Sequence, residues 1–199
     1  MSDAPLRHKP EAPGPVELCR ITPRSRHRIT PWESAFHEAG HVVAHMAVGG
    51  APRAAWLSSG CRLAGRPVVS LEYAFSRTRP HLGWRCAVIL AAGERAEEMA
   101  RGQGGDPDDW VLNVLETMDY PESTDISKLA PLIPKETTYT GTEEWLAAVY
   151  ACAGRILEDR WGDVRLVAAE LHARRRLGRE DLAALGLAER THVDVTQPA

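Results

Sequence analysis

The apolar residues of this chain take up a helical rhythm at position 30. Residues 1–29 hold Pro5, Pro10, Pro13, Pro15 and Pro23 with no apolar periodicity, so this stretch is expected to be a mobile tail. Thr30-Pro31-Trp32-Glu33 then reads as a capping box with proline at the first helical position. Phe36, Ala39, Val43, Met46 and Ala47 give that helix one apolar face, and Gly49-Gly50 should end it near Val48. Two β-leaning stretches follow, residues 54–58 and 67–75, joined by a glycine-containing loop and expected to form a small sheet or hairpin. A second helix is expected over 82–101, stopped by Gly102 and Gly104-Gly105.

Beyond it, residues 106–118 read as helical, Pro121-Glu122-Ser123-Thr124 breaks the chain, and a short helix begins at Asp125. A long helix is expected to start at Thr142-Glu143-Glu144, with a stripe of Trp145, Val149, Ala153, Ile156 and Leu157. Another covers 163–175, and residues 179–185 make a final short turn. The class is therefore mainly α with a small β element. One domain is expected over 30–187, between the N-terminal tail and a C-terminal tail at 188–199.

Composition narrows the function. A chain of 199 residues, 44% of them hydrophobic, can bury a single core without staples. A net charge of −3 argues against a nucleic-acid binder, and Arg20, Arg24, Arg26 and Arg28 read as a short solvated basic arm. The longest apolar run, residues 87–92, falls far short of the ~20 residues that span a membrane. Nothing at the N-terminus resembles a secretory signal. Cys19, Cys61, Cys86 and Cys152 stand apart, with no C-x-x-C pair, and read as reduced, mostly buried thiols. A cytoplasmic location follows as the expectation. The six tryptophans read as core or interface fillers.

The chemistry concentrates in His37-Glu38-Ala39-Gly40-His41. Residues four apart on a helix lie one above the other, so His37 and His41 can share one metal ion. Glu38 sits about 60° around the helix from His41, where it can reach a metal-bound water without ligating the metal. This is the H-E-x-x-H pattern of zinc peptidases: two imidazole ligands and a carboxylate base. Zn²⁺ is the expected cofactor, lowering the pKa of water and polarising the scissile carbonyl. The eight histidines raise the chance background of the motif, but its place on a capped helix favours a site.

A third ligand is required. The metzincin spacing fails, because Ala44 and Ala47 stand where glycine and histidine are needed. His45 lies on the same face, but three histidines at i, i+4 and i+8 span ~12 Å, too far for one ion. His45 is therefore read as a residue flanking the ligands or at the rim. Spacing leaves Glu94, Glu97, Glu98 and Asp125 all open.

The pentapeptide resembles the peptidase domain of FtsH, the AAA-linked zinc protease family. The likeness continues through Leu90-Ala91-Ala92-Gly93-Glu94-Arg95-Ala96-Glu97-Glu98-Met99 and Ser123-Thr124-Asp125-Ile126. The helices near Arg155-Ile156-Leu157-Glu158, Leu166-Val167 and Leu177-Gly178-Arg179-Glu180-Asp181-Leu182 are similar to the family's closing helices, so the resemblance covers about residues 31–186. It implies a zincin-like helical metallopeptidase domain with Asp125 as third zinc ligand and Glu97 as a carboxylate orienting a ligating histidine.

The departures also carry expectations. The family's phosphate-binding G-x-x-x-x-G-K-[ST] loop and membrane helices are not in this chain, so cleavage without ATP is expected, of flexible or unfolded segments. A separate unfoldase and a homo-oligomer are the candidate partners besides the peptide substrate. A long interval holding Trp110-Val111-Leu112 separates Glu97 from Asp125, and Tyr120-Pro121-Glu122 replaces the usual glycines. The competing reading is a binding or regulatory module on the same scaffold, with the Trp110 region serving a partner, or a narrow peptidase cutting one protein.

Overall fold

A computed structural model describes residues 30–57, 80–117, 125–135 and 137–187. The expected tails at 1–29 and 188–199, and the expected strand at 67–75, lie outside these residues. Helix α1 (Pro31–Ala47) begins as the sequence dictates. The Thr30 hydroxyl accepts from the Glu33 backbone N–H at 3.2 Å, and the Glu33 carboxylate accepts from the Thr30 N–H at 2.6 Å. A cap of this kind stabilises a helix by about 1 kcal/mol. At the other end Gly49 takes φ 85°, a left-handed turn that Val48 could not adopt cheaply.

The expected apolar face of α1 packs into the core through Phe36, Ala39, Val43 and Ala47, and burial extends beyond it. Ala35, Ala39, Val42, Val43 and Ala44 are all sealed from solvent, and Glu38, Gly40 and His41 are buried with them. The helix is central. It packs against α2 (Pro80–Ala100) and α6 (Trp161–Arg174), and also meets α5 (Tyr139–Asp159). The physical reason is side-chain size: alanines and a glycine let neighbours close in on several sides. Gly40 matters most, because a Cβ there would stand 2.3 Å from the Ala92 carbonyl oxygen and 2.7 Å from the Ala96 Cβ of α2.

Helix α3 (Pro107–Thr117) packs on α5, and α4 (Ile126–Leu129) continues into a 3₁₀ turn at Ala130–Leu132. Helix α5 starts three residues before the expected Thr142, because the Thr138 hydroxyl caps it by accepting from the Gly141 N–H at 3.1 Å. Its stripe of Trp145, Val149, Ala153, Ile156 and Leu157 is buried throughout. A small sheet is present, while the second stretch expected to join it, at 67–75, lies outside the described residues. Strand β1 (Ala54–Trp56) pairs antiparallel with β2 (Arg176–Gly178), in register Ala55 with Leu177. Helix α7 (Arg179–Ala184) follows β2 directly. The described residues are thus mainly helical, with seven α-helices and one two-stranded sheet around one hydrophobic core.

Trp84, Trp110 and Trp145 belong to that core, while Trp32 is 43% exposed. Trp110 stacks on Tyr150 at 5.0 Å, so Trp110 itself turns α3 toward the core. Cys86 and Cys152 are buried free thiols, and burial raises the pKa of both, Cys86 to about 11. Cys19 and Cys61 lie outside the described residues. No described helix is long and apolar enough to cross a membrane.

Candidate metal centre

Three donors from two distant parts of the chain converge between α1, α2 and the start of α4. His37 and His41 stack one turn apart on α1, rings edge to face, with their Nε2 atoms 3.2 Å apart. Asp125 Oδ2 lies 3.1 Å from His37 Nε2 and 3.4 Å from His41 Nε2. At the ordinary metal–ligand distance of about 2.0–2.1 Å, the edges of a zinc tetrahedron are about 3.3 Å. The triangle formed by His37, His41 and Asp125 therefore matches one face of such a tetrahedron.

The second nitrogen of each ring shows which electrons point inward. His41 Nδ1 donates to the Ile89 carbonyl oxygen at 2.7 Å, so in the neutral form of the ring the lone pair sits on Nε2. His37 Nδ1 faces Glu97 Oε2 at 3.3 Å, and a carboxylate can only accept. Two imidazole lone pairs and a carboxylate oxygen then face one another across little more than 3 Å. Three electron-rich atoms so close require a cation or a proton among them. His37 responds to this crowding. Burial alone would lower its pKa, but hydrogen bonds to Asp125 and Glu97 reverse that and hold it well above the usual histidine value. Burial likewise opposes ionisation of Asp125, yet the two histidines outweigh it and hold the carboxyl below the usual range.

Asp125 stands at the N-terminal end of α4, where a carboxylate would ordinarily cap the helix. It makes no side-chain capping bond. Oδ2 turns to the histidines, and Oδ1 accepts from Lys128 Nζ at 3.1 Å. A single oxygen is left for ligation.

Glu38 is 2% exposed, and its Oε2 has no hydrogen-bond partner among the described residues. A buried carboxylate oxygen without a partner is costly, and a catalytic role or a bound ion or water is what can account for it. Burial raises the Glu38 pKa, while the nearby charges of His41 and His37 pull it down and Asp125 pushes it up. Those influences place the carboxylate in the electrostatic field of the three donors.

The wall opposite the histidines is a glycine. A Cβ at Gly93 on α2 would stand 2.5 Å from His41 Nε2 and 2.8 Å from His37 Nε2. Any side chain there would crowd the space between the donors, so the pocket depends on its absence. Gly40 and Gly93 together bring α1 and α2 close enough for α2 to supply both the Ile89 carbonyl and Glu97. The sequence signal was present in Leu90-Ala91-Ala92-Gly93, but no pattern says that this glycine faces the histidines.

Of the four acidic residues left open by spacing, only Asp125 joins the donor group. Glu94 accepts from Trp110 Nε1 at 3.0 Å, and Glu98 accepts from the Tyr150 hydroxyl in the core. Glu97 serves two partners, His37 and Arg101. His45 lies a turn beyond His41, where a Cβ on Gly50 would be 2.2 Å from its ring, and burial lowers its pKa to about 4. It is not one of the converging donors. Lys128, Gly93 and the Ile89 carbonyl are site components that sequence reasoning did not single out.

No protein-family model matches this chain, and no curated protein or solved structure matches it either.

Proposed function

We propose that the chain is a zinc-dependent metalloendopeptidase that cleaves flexible or unfolded protein segments without ATP. One observation carries this reading: the donors of His37, His41 and Asp125 converge at tetrahedral spacing with the buried, unpartnered carboxylate oxygen of Glu38 in the same helix turn. The resemblance of His37-Glu38-Ala39-Gly40-His41 and its downstream aspartate to FtsH peptidase domains supports it. Zinc, when bound, would acidify water and polarise the scissile carbonyl.

In this reading His37, His41 and Asp125 supply two neutral donors and one negative one. The site then keeps a net positive charge, which suits activation of water. The Ile89 carbonyl and Glu97 hold the two rings in the tautomer that ligates through Nε2. Glu38 takes the proton of the attacking water at its carboxylate and returns it to the leaving amine. Exclusion of water around Glu38 and His41, each 2% exposed, strengthens these interactions. Access comes from the side of His37 and Asp125, whose side chains are 19% and 18% exposed.

The test is metal analysis of the purified chain together with cleavage of an unfolded substrate such as casein. One zinc per chain is expected, with cleavage stopped by a zinc chelator and restored by added Zn²⁺. Absence of metal uptake would overturn the reading. Bound zinc with no turnover on any unfolded protein or peptide library would favour a binding module instead.

A further inference from the structure

The two ligating rings are anchored in different ways. His41 Nδ1 donates to a backbone carbonyl, Ile89, fixed by helix α2 itself. His37 Nδ1 meets the end of a side chain, Glu97, which has several rotatable bonds of its own. An anchor of that kind orients a ring only if it is restrained in turn. Arg101, just past the end of α2, supplies the restraint. Its Nη2 donates to Glu97 Oε1, and its Nε donates to Glu33 Oε1 at 2.7 Å. Glu33 is the capping-box residue of α1, and its Oε2 accepts the Thr30 N–H at 2.6 Å.

An unbroken chain of contacts thus runs from the Thr30 N–H through Glu33, Arg101 and Glu97 to His37 Nδ1. The side chains of Glu33, Arg101 and Glu97 are 13%, 25% and 11% exposed, so the chain is shielded along these side chains and open to water only at its Thr30 end. Both oxygens of both carboxylates are engaged, which leaves neither free to turn. The planar fork of an arginine can hold two carboxylates in set directions, whereas a lysine is a single point charge.

We propose that Arg101 and Glu33 are positioning residues for the metal centre, holding Glu97, and through it the His37 ring, in the ligating orientation. The start of α1, the end of α2 and the metal ligand form one mechanical unit. This inference rests on the metal centre proposed above and adds residues that touch neither metal nor substrate.

The test is zinc affinity, measured by competition with a chromophoric chelator, together with the visible spectrum of the Co²⁺-loaded chain. Wild type, Arg101→Met, Glu33→Gln, Glu97→Gln and the double variant Glu97→Gln/Arg101→Met are compared, with urea unfolding of each metal-free chain alongside. Arg101→Met is expected to weaken zinc binding about tenfold, as loss of an outer-shell partner does, and to shift the Co²⁺ bands. Glu33→Gln keeps an oxygen for the Thr30 cap but cannot serve Arg101 as well, so it should weaken binding in the same direction. In the Glu97→Gln background, Arg101→Met should cause no further loss, because it acts through Glu97. Should Arg101→Met fail to fold, Glu33→Gln decides alone. Wild-type affinity and an unshifted Co²⁺ spectrum in the single variants would overturn the proposal, as would a full tenfold loss from Arg101→Met on top of Glu97→Gln. A wild type that binds zinc and cleaves, with variants that bind equally well, overturns this proposal alone. A wild type that takes up no metal overturns the metal centre with it.

Discussion

His37 Nε2 and Asp125 Oδ2 meet at 3.1 Å although 88 residues separate them in the chain. The contact closes the donor triangle, and everything else at the site either orients these atoms or makes room for them. Its existence depends on α4 starting at the mouth of the α1–α2 groove, with Lys128 holding the second oxygen of Asp125 aside.

Asp125→Asn keeps the shape of the side chain and removes its charge. Zinc affinity is expected to fall by about two orders of magnitude or more, since a neutral amide is a poor ligand for a dication. The metal-free chain should keep its helical content, because Asp125 makes no capping bond that the change would break. Competition with a chromophoric chelator and far-UV circular dichroism measure the two effects separately. Unchanged zinc affinity would remove Asp125 from the ligand set.

Gly93→Ala places a Cβ within 2.8 Å of both Nε2 atoms. The histidines must move apart, so zinc uptake should be lost while overpacking lowers stability by about 1–3 kcal/mol. Gly40→Ala pushes α1 off α2 at the backbone instead, against the Ala92 carbonyl, and should be the more destabilising of the two. Urea unfolding of both metal-free variants ranks them, and zinc titration of Gly93→Ala tests the crowding. Normal zinc binding by Gly93→Ala would show that the wall is not where the structure puts it.

Glu33 carries a pH signature. Burial alone would raise its pKa, but the bonds from Arg101 and Thr30 prevail and lower it from 4.5 to about 2. A carboxyl whose pKa is depressed on folding contributes stability above its unfolded value and loses it as pH falls through its folded one. The stability difference between wild type and Glu33→Gln should therefore be full above about pH 4.5 and fade as pH falls toward 2. Urea unfolding of the two metal-free proteins at pH 5 and pH 3 checks this. An equal difference at both values would mean that Arg101 does not hold Glu33 as described.

Trp110 is 1% exposed, stacked on Tyr150, with its indole N–H given to Glu94. Trp110→Ala should cost about 3–5 kcal/mol, the usual range for emptying a core tryptophan site. Thermal unfolding measures it. A neutral effect would mean that α3 does not dock on the core.

Helix α1 and its paired histidines could be read from the sequence because each feature is local. The cap lies within four residues, and the two histidines sit one turn apart. Asp125 could not be read from spacing, since His37 is 88 residues away and Glu94, Glu97 and Glu98 were equally acidic. Only the resemblance to a peptidase family separated it from them. Strand β2 escaped because Arg176-Leu177-Gly178 is too short to show alternation and lies between two helices. The glycines were legible as residues but not as contacts. Their function exists only where α1 and α2 cross, and the Arg101 bridge to Glu33 exists only there too.

The most direct test of a zinc peptidase compares wild type and Glu38→Gln for metal content and for cleavage of unfolded protein, side by side. Both proteins should hold one zinc, because Glu38 is not among the converging donors. Turnover by Glu38→Gln should fall by about 10²–10⁴-fold, the contribution expected of a positioned general base. Wild-type rates from a zinc-loaded Glu38→Gln protein would contradict the mechanism.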